Sequence, residues 1–522
     1  MVYSPTLLDA VAVLVAVILF NRLFSKKRQG PLPPGPKGLP IIGNMLDMPA
    51  SHEWRTFAQW GERWGDIVSV TFLGQPYIIL NSAKHAFDML EKKSSIYSSR
   101  PIIPVGGELV GWNRTLALLP YGNKFREYRR LIFQLIGSKK NMERFVPLVE
   151  DKTRDFIVEV YQQPTELLKH IRKSAGAIIL TMSHGYEVQA ENDPFVATVD
   201  EAMEQFAICT SPAGFLANIF PALAHIPAWV PGAGFRKVAA AWRRTLDEMC
   251  DKPHEFVKQR MANGTDISNF TSVNLEGDIT PEREELVKNA ASSLYAGGAD
   301  TTVSAINTFY LAMTLNPEVQ KKAQAEIEAV IGTDRLPTTE DRDNLPYVNA
   351  VLLEVFRWNN VAPLAIPHRV IEDDFHAGYF IPKDSIVIAN VWRMLHDAET
   401  YADPMTFNPD RFLAAPGKEP ETDPRGMVFG FGRRICPGLQ LADSSVFLAV
   451  AMSLAVFKIE KPVENGEVVE PSTEYTAGTV SALTIVASVR RTSHPPPYKC
   501  EIKPRSAKAE TLLHSLIEHK NN

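Results

Sequence analysis

The sequence predicts a mainly helical fold with a small β-rich part. Most segments with a regular apolar repeat have helical spacing, and they lie near residues 54–64, 83–91, 142–162, 167–184, 194–209, 318–331 and 347–358. One β-hairpin is predicted where the β-rich runs Ile67–Phe72 and Tyr77–Leu80 flank Gly74-Gln75-Pro76. A further strand is predicted over Ser385–Val391. In addition, the middle of the chain contains one unusually long helical segment.

That long helix has a clear beginning and a clear end. Thr280 is a good N-cap, Pro281 fits the first helical position, and acidic residues occupy the first turn. The helix is expected to stop at Asn316-Pro317. A helix of about 35 residues is roughly 50 Å long, so we expect it to cross the whole domain.

The middle of this helix carries an unusual group of residues. Gly297 and Gly298 are adjacent, although glycine inside a helix is destabilising. Asp300 and Thr301 follow, and a threonine hydroxyl can bond the carbonyl one turn back. We therefore predict a local bulge of the helix at this point.

Composition places the chain among ordinary globular proteins. Its 522 residues are 45% hydrophobic and 22% charged, without an internal repeat or a long low-complexity linker, so one large domain is predicted. The net charge of −5 gives no indication of a nucleic-acid partner. The four cysteines form no Cys-x-x-Cys pair, which argues against a disulfide scaffold or a zinc site and favours a reducing compartment.

The N-terminus is typical of a membrane anchor. Ala10–Phe20 is continuously apolar, and extension through Phe24 gives about 20 residues, enough to span a bilayer. Lys26-Lys27-Arg28 follow, so the positive-inside rule predicts a cytosolic main domain. A buried core helix is the alternative. We assign residues 1–24 to the anchor, 25–45 to a basic, proline-rich hinge and 46–522 to the main domain.

The stretch from Phe429 to Gly438 contains the strongest functional signal. A lone cysteine is usually a small core residue, but Cys436 lies between glycines that leave room for a flat ligand. Pro437 is predicted to be the first helical residue, which would place Cys436 at a helix N-terminus that favours the thiolate. Arg433 offers a fixed positive charge to a carboxylate. A thiolate beside a flat, carboxylate-bearing ligand describes haem held by cysteine.

The cysteine-loop signature of the cytochrome P-450 superfamily is matched by Phe429, Gly432, Arg433, Cys436 and Gly438. The chain therefore resembles the haem-thiolate monooxygenases, and in particular microsomal members. Three other family patterns occur in order, and they are Gly298–Thr302, Glu354-x-x-Arg357 and Arg411. The resemblance implies the cytochrome P-450 fold, mainly α with a small β-rich subdomain. It also implies that the glutamate and the two arginines form a buried network that braces the cysteine loop.

The resemblance also implies a set of site residues. Cys436 would bind the iron of haem b, and its thiolate would favour O–O cleavage. The positions that correspond to contacts with the haem propionates are Arg100, Arg129, His368 and Arg433. Phe125 stands where the family usually has a propionate-binding tryptophan, so one hydrogen bond is expected to be missing or replaced by water. Asp300 and Thr301 would deliver protons through ordered water.

The partners implied by the resemblance are a reductase, a membrane and a small molecule. Electrons are expected from NADPH through a separate reductase, because the sequence has no flavin or nucleotide fingerprint. The expected docking surface is basic and comprises Lys124, Arg126, Arg130 and Arg434. The substrate is expected to be hydrophobic, since parts of the chain resemble fungal secondary-metabolism members that act on terpenes, polyketides and indoles. The implied location is the endoplasmic reticulum membrane, with a single span and a cytosolic catalytic domain.

The sequence leaves three questions open, about the reaction, the apolar stretch 211–234 and the loop Tyr475–Thr484. The same fold could serve an isomerase or dehydratase, although the Asp300-Thr301 pair argues against it, or a haem-binding sensor or carrier without turnover. The apolar stretch 211–234 could be ordinary core or a surface that dips into the membrane and admits greasy substrates. The Ser- and Thr-rich stretch Tyr475–Thr484 is expected to form a loop that closes the pocket from the other side.

Overall fold

The computed structural model describes residues 29–49, 51–189, 191–211, 214–265, 267–474 and 493–521. The predicted anchor and the predicted loop Tyr475–Thr484 lie outside the described residues, as does the start of the predicted hinge.

Helices make up most of the described chain, in agreement with the predicted fold class. The α-helices are α1 (Glu53–Trp64), α2 (Ala83–Ala86), α3 (Ser94–Tyr97), α4 (Asn123–Ile136), α5 (Lys139–Met142), α6 (Val146–Gln162), α7 (Leu167–His184), α8 (Pro194–Thr210), α9 (Leu216–Ile219), α10 (Phe235–Ala262), α11 (Phe270–Leu275), α12 (Pro281–Leu315), α13 (Pro317–Val330), α14 (Pro346–Trp358), α15 (Val391–Leu395), α16 (Arg425–Val428), α17 (Leu439–Val456) and α18 (Ala507–Asn521). The predicted helix over 83–91 is instead the single turn α2 followed by a π-helical segment, Phe87–Lys92.

Short strands form the β-rich part. They are β1 (Ile67–Phe72), β2 (Gln75–Leu80), β3 (His368–Arg369), β4 (Asp374–His376), β5 (Tyr379–Ile381), β6 (Ile386–Ala389), β7 (Phe457–Glu460), β8 (Val463–Glu464), β9 (Glu467–Val468) and β10 (Glu501–Pro504). Within the described residues, β1, β2, β6 and β3 form a sheet in that order, and the β1–β2 hairpin confirms the prediction. The predicted strand over Ser385–Val391 is shorter because Asn390 caps α15.

The sheet holds distant parts of the chain together. Strand β2 pairs in parallel with β6, so that Ile78 lies beside Val387. Alternate residues face opposite sides of a strand. Ile78 and Val387 therefore belong to one apolar cluster, whereas Ile79 and Ile388 belong to another. The largest apolar cluster lies among the helices.

Helix α12 is the central element of that helical core and has the predicted length. It spans 35 residues and packs against α7 and α17, among other helices. The Thr280 hydroxyl oxygen accepts a hydrogen bond from the Arg283 backbone N–H at 3.3 Å, which confirms the predicted cap. The predicted bulge is wrong, because α12 is α-helical through Gly297 and Gly298.

The first and the last described segments of the chain both pack against the main domain. The Pro34 carbonyl accepts a hydrogen bond from Ser69 N at 2.9 Å, so the proline-rich stretch lies along β1. At the other end β10 pairs with β7, and α18 buries Leu513 against the helical core. The described part of the predicted hinge therefore packs on the domain.

Helix α17, which follows Cys436, is the one helix among the described residues that could span a membrane by length and mean hydropathy. Its mean hydropathy is 1.7, but 78% of its residues are buried inside the protein. It therefore belongs to the core, and the single N-terminal membrane span stays a prediction.

A buried carboxyl group at the start of α1 predicts an unusual pH dependence of stability. Glu53 is 1% exposed, and neither of its carboxyl oxygens has a hydrogen-bond partner among the described residues. Burial raises its pKa from the ordinary 4.5 to about 8. The folded state therefore keeps a proton that the unfolded state loses between these pH values, so the free energy of unfolding falls as pH rises through that window.

We expect Glu53→Gln to remove this loss. Between pH 4.5 and pH 8 the variant should gain stability relative to the wild type, on the order of 3 kcal/mol, measured by urea unfolding at both pH values. Glu62→Gln is the matched control, because Glu62 lies exposed on the same helix. Identical pH profiles for the wild type and Glu53→Gln would show that Glu53 does not titrate abnormally.

Candidate functional site

The loop that carries Cys436 is held tightly between α16 and α17. The Cys436 backbone N–H donates to the Phe429 carbonyl at 2.7 Å, and the turn Gly432–Arg434 is a short 3-10 helix. Gly432 has a φ of +53°, and a Cβ on it would lie 2.4 Å from the Leu90 carbonyl oxygen. Glycine is therefore required at this position by both backbone conformation and space.

Cys436 does not lie where the sequence predicts relative to the helix. Helix α17 begins at Leu439 with Gly438 as its N-cap, so Pro437 is not its first residue. Burial raises the pKa of the Cys436 thiol, while the Gly438 backbone N–H and the Arg129 charge act in the opposite direction. A positive ligand at the sulfur is therefore needed to hold the thiolate.

Arg434, and not Arg433, is the buried cation of the loop. Its guanidinium donates to the backbone carbonyls of Ser98 at 2.7 Å and Leu119 at 2.6 Å, and it lies 3.9 Å from the centre of the Phe125 ring. Burial and the nearby Arg129 lower the pKa of Arg434 to about 9. The prediction that Arg434 belongs to a docking surface is wrong, because its side chain is only 9% exposed.

Arg433 faces outward instead. Its side chain is exposed and donates to the Tyr121 hydroxyl at 2.5 Å. Adjacent residues in a tight turn point in different directions, and a sequence with two consecutive arginines does not tell which one faces inward. The geometry thus does not support Arg433 as a carboxylate-binding residue of the site.

The remaining predicted cations lie on the inner side of the loop. Arg129 Nη1 donates to the Ile435 carbonyl at 2.5 Å, one residue before Cys436. Arg100 donates from Nε to the Ala117 carbonyl at 2.9 Å and from Nη1 to the Ile366 carbonyl at 2.7 Å. Among the described residues, neither Arg129 nor Arg434 has a carboxylate within ion-pair distance.

The imidazole of His368 lies beside these arginines. It is 5% exposed, and its Nδ1 lies 2.7 Å from the Tyr97 carbonyl oxygen, so Nδ1 carries the proton and donates it. Burial holds the pKa of His368 well below its usual range, and the charges of Arg100 and Arg434 lower it further. The structure therefore brings Arg100, Arg129, His368 and Arg434 together around the cysteine loop.

The middle of α12 faces a recess. Gly297 and Thr301 are exposed, although most of the surrounding helix is buried. A Cβ on Gly297 would meet nothing within 4 Å, whereas one on Gly298 would lie 3.2 Å from Ile179 of α7. The two glycines thus serve different purposes. Gly297 borders open space, and Gly298 allows α12 and α7 to pack closely. The Thr301 hydroxyl donates to the Gly297 carbonyl at 2.8 Å, as predicted.

Asp300 lies on a neighbouring face of α12 and has charged partners that the sequence did not reveal. Its Oδ1 is 3.1 Å from His494 Nε2 and 4.0 Å from Arg172 Nη1. Arg172 is closer to Asp200, at 3.1 Å. These partners come from α7, α8 and the C-terminal segment, so no local pattern in the sequence could have identified them.

The predicted network of Glu354, Arg357 and Arg411 is confirmed and has a fourth member. Arg357 donates to both Glu354 oxygens, at 2.7 and 2.8 Å, and Arg411 Nε reaches Glu354 Oε1 at 3.2 Å. Arg411 also pairs with Glu421 at 2.7 Å, and the Asn408 backbone N–H donates to Glu354 at 2.8 Å. Two buried cations are thus matched by two carboxylates, as a buried ionic network requires.

Comparison with known proteins agrees with this arrangement. The family model for cytochrome P-450 matches residues 33–481. The chain is 54% identical to cytochrome P-450 monooxygenase 208 of Postia placenta, over 98% of this chain and 97% of that protein. It is 47% identical to cytochrome P-450 monooxygenase claR of Ampulloclitocybe clavipes, over 98% and 93% of the two chains.

The helical fold, with a cysteine loop beside a long central helix, is that of a cytochrome P-450, and the chain belongs to that family. It is an oxidoreductase of the monooxygenase class. The family implies a haem cofactor, a redox partner and a small-molecule substrate.

Proposed function

We propose that this protein uses haem b bound through Cys436, with electrons from NADPH supplied by a separate reductase, to oxidise a hydrophobic small molecule. The observation that carries the proposal is the group of buried cations around the cysteine loop. Buried positive charges are costly without counter-charges. Arg129 and Arg434 are not paired with carboxylates of the described residues, so the set fits a ligand that brings its own carboxylates.

The residues around the cysteine loop also offer hydrogen-bond donors to the carboxylates of haem. Two acidic groups beside Arg434, Arg100 and His368 would be held by donors that are already oriented by backbone carbonyls. A carboxylate near His368 would also favour its doubly protonated form. Phe125 stacks under Arg434, so in place of the missing indole donor it orients a guanidinium.

Haem with a thiolate ligand supplies the oxidation chemistry, and the protein supplies position and protons. Arg129 and the Gly438 N–H favour negative charge on the Cys436 sulfur. The Thr301 hydroxyl borders the recess in the middle of α12, where it can orient a water molecule. Asp300 is the nearest acid in the sequence and is proposed to pass protons toward that water.

A basic face is proposed to dock the reductase. Lys124, Arg126, Arg130 and Arg433 are exposed on or near α4. Arg433 thus replaces Arg434 in the docking surface predicted from the sequence. Electrostatic steering between this surface and an acidic partner would raise the rate of encounter and weaken at high salt.

The apolar stretch 211–234 supports contact with a membrane. Leu216, Phe220 and Trp229 are 68%, 41% and 82% exposed, which is unusual for large apolar side chains. Together with the predicted anchor, this favours attachment to the endoplasmic reticulum membrane with the domain in the cytosol. A hydrophobic substrate, in fungal secondary metabolism, is consistent with such a surface and with the fungal relatives.

The proposal is tested by replacing the thiol. Reduced, CO-bound wild-type protein should show the Soret shift typical of a thiolate ligand, and with reductase and a substrate library it should consume NADPH and form an oxidised product. Cys436→Ala should lose the Soret shift and the product. Cys500→Ala is the control, because burial raises the pKa of Cys500 to about 12 and makes it a poor ligand.

Three results would contradict the proposal. The first is a thiolate spectrum that survives in Cys436→Ala. The second is substrate conversion that proceeds without oxygen and NADPH, which would indicate an isomerase or dehydratase. The third is haem binding with no turnover of any library member, which would indicate a carrier or sensor.

A further inference from the structure

A line of ionisable side chains leads from the surface to the middle of α12. Each side chain contacts the next one in the order Asp200, Arg172, Asp300 and His494. The exposed fractions of these side chains fall along the line, from 39% through 20% and 14% to 5%. The Asp300 carboxylate thus lies between a partly exposed guanidinium and a buried imidazole.

His494 reaches Asp300 because the C-terminal segment runs along one face of α12. The Ser304 hydroxyl donates to the Ser493 carbonyl, and the Tyr498 hydroxyl donates to the Asn307 carbonyl at 2.8 Å. Asp300, Ser304 and Asn307 are spaced by four and three residues, so they share this face. Thr301 lies on the neighbouring face, toward the recess.

We propose that His494 is the positioning residue for the Asp300 carboxylate, and that its 3.1 Å contact with Oδ1 holds this acid beside Thr301. The inference rests on the proposed function, in which Asp300 passes protons. The 3.1 Å contact is shorter than the 4.0 Å contact with Arg172, and Arg172 is shared with Asp200. The imidazole is therefore the stronger of these two constraints on Asp300.

Loss of the contact between His494 and Asp300 would change both the position and the protonation of the Asp300 carboxylate. Without the imidazole, the longer contact with Arg172 would be the one that remains of these two. A donor at this place also stabilises the ionised form of Asp300, so its removal should raise the pH at which Asp300 takes up a proton. The titratable groups within 4.0 Å of Asp300 or of Arg172 include, among the described residues, His494, Arg172 and Asp200.

The test compares His494→Phe, which has no donor, with His494→Gln, which keeps one. The first readout is the infrared band of protonated Asp300 in the haem-loaded protein, isolated by subtraction of an Asp300→Asn spectrum and followed against pH. We expect His494→Phe to move the midpoint upward by about one pH unit or more, and His494→Gln to stay near the wild type. The second readout is product formed per NADPH, which should fall by about tenfold in His494→Phe and recover in His494→Gln.

Tyr498→Phe is the matched control. It removes a hydrogen bond between the same helix and the same C-terminal segment, four residues beyond His494, and leaves the Ser304 bond next to His494 in place. Both readouts should stay at the wild-type value in this variant. If Tyr498→Phe reproduced the changes, or if His494→Phe left the infrared midpoint unmoved, His494 would have no positioning role. A wild type that forms no product would count against the proposed function, while the infrared midpoint would still test His494.

Discussion

Glu354→Gln is expected to unfold the protein or leave it unable to retain haem. The substitution removes one negative charge from a group in which Glu354, Arg357 and Arg411 are each no more than 1% exposed. Arg411 would then keep Glu421, whereas Arg357 would have no carboxylate partner among the described residues, and an uncompensated buried charge typically costs about 3–5 kcal/mol. Urea unfolding and the haem-to-protein absorbance ratio measure both effects.

Glu421→Gln is the matched control for this prediction. Glu421 pairs with the same Arg411 at 2.7 Å, but its side chain is 12% exposed and water can reach it. We expect a loss clearly smaller than that of Glu354→Gln. Equal losses in the two variants, or a Glu354→Gln protein within about 1 kcal/mol of the wild type, would show that the network is not the brace described here.

Thr301→Ala is expected to uncouple NADPH oxidation from product formation. Haem content and NADPH consumption should persist, while product per NADPH falls by about one to two orders of magnitude and hydrogen peroxide rises, because the hydroxyl that we propose to orient the proton-carrying water is gone. Thr301 is exposed, so the substitution should change the free energy of unfolding little. Product, peroxide and NADPH are measured in one assay.

Two further variants separate proton delivery from packing. Thr301→Ser restores the hydroxyl and should restore most of the coupling. Thr302→Ala removes a neighbouring hydroxyl on the same helix and should leave coupling unchanged. If Thr301→Ala instead lost about 1–2 kcal/mol of stability with coupling intact, the residue would have a packing role and no place in proton delivery.

The sequence by itself determined the elements whose cause is local. The cap of α12, its length and the hydroxyl bond of Thr301 follow from residues within one or two helical turns. The β1–β2 hairpin follows from two β-rich runs around a turn. The spacing of the cysteine loop identified the family, because its glycines, arginines and cysteine lie within ten residues of one another.

Only the tertiary structure decided which side chains meet across the chain. It turned Arg434 inward and Arg433 outward, since a tight turn separates two residues that are chemically identical. It joined β2 to β6, some 300 residues later, and it placed His494 against Asp300. Such contacts depend on packing between elements that have no shared sequence pattern. A sequence therefore shows which residues are available for chemistry, whereas the fold decides which of them face one another.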